Sequence, residues 1–184
     1  MTYDRKADPQ KARAHAKEVL AKAGVLKAPV QVERVIKKLN IVLRHEALDE
    51  ELSGMAYIND GLSIIGINAI HHPNRQRFSA AHELGHHILH AEEITGAVHV
   101  DKGEFKVLFR NESSSLGADR LEIEANAFAS ELLMPKELLL AEIGGAPVDV
   151  ANDEQVEELA KKFRVSVQAM RIRLLGLLSE QLSA

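Results

Sequence analysis

Residues 75–90 read RQRFSAAHELGHHILH, and the reading of this stretch as one helix organises the rest of the chain. His71-His72-Pro73 closes the preceding unit, and Asn74 is a good N-cap for a helix over about 75–90. Inside it, His82-Glu83-Leu84-Gly85-His86 is an HExxH pattern. Four helical residues rotate by about 400°, so both imidazoles leave one face about 6 Å apart along the axis. Their nitrogens can then meet a single Zn²⁺ at roughly 2.0–2.1 Å each. Glu83 stands about 100° around, where its carboxylate can take a proton from a water held by the ion. With His82 as origin, Leu89 falls at about −20°, Phe78 at about −40° and His86 at about +40°. Both histidines therefore share the apolar, inward stripe, where a polar ring needs a partner. One such histidine would be an ordinary core residue bonded to a carbonyl; two at ligand spacing favour a metal. His86 and His90 form a rival pair, but residue 87 is His and supplies no carboxylate. His87 is expected to face outward and His90 to lie at the edge of the stripe. A third histidine six residues beyond His86 is missing, since position 92 is Glu92, so the third ligand must come from elsewhere.

A second helix, expected over about 118–133 and stopped near Pro135, offers it. Leu121, Ala125, Phe128, Ala129 and Leu132 define its apolar face. Glu122 lies about 60° from Ala125, beside that face, whereas Glu124 lies at about −100°, on the side of Glu131. Both read equally as surface charges of an amphipathic helix; a histidine pair short of one ligand favours Glu122 over a solvated Glu124. Asn126, one turn on, can accept a hydrogen bond from a ligand imidazole. Ala125 and Ala129 let the two helices approach closely.

Outward from these helices the pattern is α+β. Residues 5–23 read as a surface helix stopped at Gly24, residues 32–39 as a shorter helix, and 41–43 as a strand. GMAYINDGLSIIGIN (54–68) is a hairpin turning at Asn59-Asp60-Gly61. Short strands are expected near 98–100 and 105–110, a loop at Ser113-Ser114-Ser115 with Gly117, a second loop at Gly144–Pro147, and helices over about 153–163 and 167–178. The order implies one domain over 1–184: a 1–145 core in which helices pack on a small antiparallel sheet, and a 146–184 helix pair. Twenty-three basic and 27 acidic residues give a net charge of −4, which argues against a general polyanion binder. The absence of cysteine removes disulfides, iron–sulfur clusters and thiolate zinc sites. Seven of the nine histidines lie between His71 and His99. No apolar run is long enough to span a bilayer, and the N-terminus lacks the apolar stretch of a signal peptide, so a cytoplasmic protein is expected.

RQRFSAAHELGHHILH (75–90) and EIEANAFASELLMP (122–135) together closely resemble the ImmA/IrrE family of metallo-endopeptidases. The hairpin and PVQVERVIKKLNIVLR (29–44) extend the resemblance to roughly residues 28–178. It implies a zincin-like fold, one Zn²⁺ on His82, His86 and Glu122, and Glu83 as general base. It also implies an intracellular regulator, several members of the family cleaving a helix-turn-helix repressor and others lying beside toxin–antitoxin or phage repressor genes. By donor chemistry alone, Mn²⁺ or Fe²⁺ would tolerate the same ligands.

EQVEELAKKFRVSVQAMRIRLLGLL (154–178) resembles a helix-turn-helix, with Ser166 as N-cap of its second helix. Arg164 stands where many such turns use glycine. Five basic residues (Lys161, Lys162, Arg164, Arg171, Arg173) face five acidic ones over 151–184, so a DNA reader is disfavoured against a structural or docking pair. Arg171 and Arg173 read as solvated. Three functions follow. The first is a zinc endopeptidase acting on a repressor or antitoxin, with the strand around Leu62–Ile67 as an edge for an extended substrate. The second is a non-cleaving zinc module that sequesters such a partner, and the third a DNA-binding regulator. Tyr57, His90 and His99 are the candidates for stabilising an oxyanion.

Overall fold

The computed structural model describes residues 6–96, 98–101, 116–144 and 149–182. Its elements are α1 (Pro9–Ala23), α2 (Val32–Lys38), β1 (Val42–Glu46), β2 (Gly54–Asn59), β3 (Leu62–Asn68), α3 (Pro73–Leu89), α4 (Ala91–Ile94), β4 (Val98–Asp101), α5 (Leu116–Leu133), α6 (Lys136–Ile143), α7 (Asp153–Phe163) and α8 (Val167–Leu182). The α+β expectation holds. The expected strand at 105–110, the Ser113–Ser115 loop and residues 145–148 lie outside the described residues.

The four-stranded sheet runs β1-β3-β2-β4. β2 pairs antiparallel with β3 and with β4, but β1 pairs parallel with β3, so the sheet is mixed and not purely antiparallel. The intervening residues 47–61, with β2 inside them, bring the chain back to the same end of the sheet before β3 begins, and this makes the β1–β3 pair parallel. Asp60 and Gly61 take φ of 49° and 77°, the left-handed pair that a two-residue hairpin requires. β3 is hydrogen-bonded on both sides, so it offers no edge to a substrate; among the described residues the outer strands are β1 and β4.

α3 occupies the centre, packed on β2 and β3 on one side and on α5 on the other, with α1 laid against α5. Its N-cap is His72, whose Nδ1 accepts the Asn74 backbone N–H at 3.2 Å. Pro73 therefore opens the helix at the position where its missing N–H costs nothing. The Asn74 side chain instead donates to the Val165 carbonyl at 3.0 Å. α1 is a core helix and not a surface one: Ala12, Ala16, Val19 and Leu20 are buried against α5. Gly24 ends it in the left-handed conformation, as expected.

A Cβ on Gly85 would come within 3.2 Å of Ala125 Cα and 3.3 Å of the Phe128 ring, so its absence sets the close approach of α3 to α5. That approach decides which side chains of the two helices can meet. α7 and α8 pack against each other, with Asn152 and Ser166 as their side-chain N-caps. Two short helices, α4 and α6, were not apparent from periodicity. Among the described residues no helix is long and apolar enough to cross a membrane.

Candidate metal centre

α3 delivers His82 and His86 from successive turns, and α5 brings Glu122 across the gap that Gly85 leaves. The two Nε2 atoms lie 3.0 Å apart, with Glu122 Oε2 3.2 Å from the first and Oε1 3.3 Å from the second. Their ligand atoms all fall within 4.8 Å of one another. His82 and His86 are buried, while Glu122 keeps about a third of its side chain exposed, leaving one open side.

The hydrogen bonds behind the rings orient them. His82 Nδ1 donates to Asn126 Oδ1 at 3.1 Å, the position expected for Asn126. The order at His86 follows from the far end of a longer chain. Glu124 is a carboxylate and can only accept, so His90 Nε2 donates to its Oε2 at 2.9 Å. The remaining His90 nitrogen, Nδ1, must then accept, and His86 Nδ1 donates to it at 3.1 Å. Both metal-facing Nε2 atoms are thereby left as bare lone pairs pointed at each other and at a carboxylate. Three lone-pair donors converging in this way suit a cation, because an ion removes repulsion that no hydrogen is present to relieve.

The ionisation states agree. Burial pushes His86 down to about 3, against the opposing pull of the nearby Glu122 carboxylate. Burial likewise lowers His87 and His90. Burial alone would raise Glu122, but the imidazoles of His82, His86 and His99 gathered around it outweigh that and hold the carboxyl far below the ordinary range. For Glu124 burial again raises, and His90 and the Asp8 backbone N–H outweigh it. Neutral imidazoles and ionised carboxylates are the forms that ligate metal.

Three sequence expectations are corrected by this geometry. His90 is not at the edge of a stripe but fully buried behind His86. His87 does not face outward: it is buried on the sheet side of α3 and donates from Nε2 to the Ile64 carbonyl at 3.0 Å. Glu124 is not solvated but 6% exposed, held by His90, by Arg120 at 3.2 Å and by the Asp8 N–H at 2.9 Å. The signal for this pair was present in the one-turn spacing of His86 and His90, but the carboxylate answering it lies on another helix.

Glu83 is fully buried against β2, where a Cβ on Gly54 would come within 3.0 Å of its Oε1. Glycine at 54 therefore makes the room for that carboxylate. His99 on β4 faces the centre: its ring lies 4.1 Å from that of His86, and its Nε2 is 3.4 Å from Glu122 Oε1. Of the three oxyanion candidates, His90 is committed to Glu124 behind the site, whereas His99 reaches both Glu122 and the His86 ring.

The profile of the Peptidase_M78 family, described as the IrrE N-terminal-like domain, matches residues 36–175. The chain belongs to this metallopeptidase family. The resemblance read from the two helical motifs is thus borne out. The chain is also 28% identical over 159 residues to the "uncharacterized immunity region protein 2" of Bacillus phage phi105, across 73% of this chain and 92% of the phage protein. A Mycobacterium tuberculosis transcriptional regulator shares the fold, with a TM-score of 0.56 and 14% identity. That match covers 87% of this chain and 45% of the regulator, so this chain spans less than half the regulator's length.

Proposed function

We propose that this chain is a zinc-dependent endopeptidase acting on a helix-turn-helix repressor or antitoxin. The observation that carries the reading is the convergence of His82, His86 and Glu122 with their lone pairs inward, beside the buried carboxylate of Glu83. Two imidazoles and one carboxylate suit Zn²⁺, although Mn²⁺ or Fe²⁺ fits the same donors. When bound, the ion supplies Lewis acidity toward a carbonyl and lowers the pKa of water. Glu83 then accepts the proton of the attacking water on a carboxylate oxygen and returns it to the departing amine. Asn126, and His90 with Glu124, keep the ligand rings in the tautomer and orientation the ion needs. His99 is the N–H donor available to charge developing on the carbonyl oxygen.

A regulatory protein substrate is supported by the family resemblance and by the similarity to a phage immunity-region protein. The site is built on one unit over 1–184, in which the α7–α8 pair serves docking and structure more than DNA contact. A cytoplasmic location follows from that reading. The test is incubation with the repressor encoded beside the gene, with and without chelator. Fragments that vanish with chelator are expected; an intact partner bound in both cases would favour sequestration without cleavage.

Metal retention separates the roles of the two glutamates. Glu122→Gln removes a donor and should lose the ion almost entirely. Glu124→Gln leaves all three donors but releases His90, and hence the His86 tautomer, so affinity should fall about 10–100-fold. Elemental analysis after dialysis against graded chelator distinguishes them, and equal retention by both variants would remove the ligand assignment.

A further inference from the structure

A cleft of about 670 Å³ opens between the N-terminal half of α3 and the α7–α8 turn, a size typical of built ligand sites. Phe78, Ala160, Val165, Val167 and Ala169 contribute apolar walls. Phe78, on the wall of the cleft, lies one helical turn before His82, and their ring centroids are 6.3 Å apart. It is held open by bonds from α3 to the turn. Asn74 donates to the Val165 carbonyl at 3.0 Å, and Arg77 donates to those of Arg164 and Phe163 at 3.2 and 3.4 Å. The rim carries Arg164 together with Lys161, which pairs with Glu157 at 3.5 Å, and Arg75, which donates to Ser53 Oγ at 2.9 Å.

Arg164 is the informative residue. It caps α7 in the left-handed conformation, φ 55° and ψ 52°, where glycine is the usual occupant because it has no Cβ to strain. The backbone would be better served by glycine, yet the position holds an exposed arginine at the cleft mouth. We propose that this cleft is a recognition site for a polypeptide segment in which a large apolar side chain is followed by acidic residues. The apolar side chain fills the cleft and the carboxylates meet the cationic rim. The apolar walls of Phe78, Ala160, Val165, Val167 and Ala169 favour a buried side chain over a nucleic-acid backbone as the occupant. Only the identity of that segment as substrate rests on the peptidase reading; binding in the cleft does not.

The probe is a short fluorescein-labelled peptide with one Leu followed by Asp-Glu in a Gly/Ser background, titrated by anisotropy against the full chain carrying Glu83→Gln. Replacing the peptide's Leu by Ala should weaken binding by about tenfold or more. Replacing Asp-Glu by Lys-Lys should weaken it about fivefold at low salt, an effect that shrinks as salt rises. Arg164→Gly should fold with an unchanged or higher Tm and lose the discrimination between Asp-Glu and Lys-Lys. No binding at about 1 mM, equal binding of all three peptides, discrimination retained in Arg164→Gly, or displacement by a short DNA duplex would each overturn the proposal. The same titrations with chelator present keep the two readings apart. Discrimination that survives while the intact Glu83 protein cuts nothing counts against the peptidase, and cleavage indifferent to Arg164→Gly counts against the cleft.

Discussion

Glu83→Gln yields a folded, metal-loaded protein that still binds its partner and cuts it about 10²–10⁴ times more slowly. The rate falls because an amide has no useful basicity near neutral pH, so the proton of the attacking water has no acceptor. The fold should survive. Glu83 is fully buried in the space that Gly54 leaves, and Gln has nearly its shape without the cost of burying a charge. Metal content should survive as well, because the ligand tautomers are set by Asn126 on one side and by His90 and Glu124 on the other. Metal content, partner binding and fragment yield are measured side by side for the two proteins. Cleavage at the wild-type rate would sink the mechanism. If neither protein cuts a partner that both bind, sequestration becomes the better account.

Arg173→Met is expected to cost about 3–5 kcal/mol of folding stability, the largest effect away from the candidate site. Arg173 is 4% exposed and Glu131 is 1% exposed, and their side chains form a short ion pair between α8 and α5. The guanidinium also donates from Nε to the Met134 carbonyl at 3.1 Å, and Glu131 Oε1 accepts the Lys136 N–H at 3.1 Å at the start of α6. Truncating the arginine leaves a buried carboxylate without its counter-charge, which costs more than the intact pair contributes. Replacing Glu131 by Leu at the same time should recover part of the loss, but not all, because the Lys136 N–H loses its acceptor. Urea denaturation of the single and double variants reads both effects. A loss below about 1 kcal/mol would mean that the α7–α8 pair is not fastened to the core through this contact.

The periodic parts of the fold were readable locally. The HExxH spacing, the hairpin at Asp60-Gly61, the Gly24 stop and the helices over 153–163 and 167–178 depend on neighbours within a few residues. Helical phase also placed His82 and His86 on one stripe. Each of these is a property of a single element, and local chemistry determines it.

What lies behind and beside the elements was settled elsewhere. A helical wheel assumes one covered face, but α3 is covered by the sheet and by α5, and α5 by α3 and α1. His87 and Glu124 sit on sides that a lone helix would show to water, and here they are buried against Ile64 and against the start of α1. Arg173, expected in solvent, is buried for the same reason. The parallel β1–β3 pair, the interior position of β3 and the meeting of His99 with Glu122 each join residues separated by a loop or more. By itself the sequence determined which side chains could ligate a metal. Only the packing decided which partners orient them, because burial and pairing depend on the elements brought against each face, and those are distant in the chain.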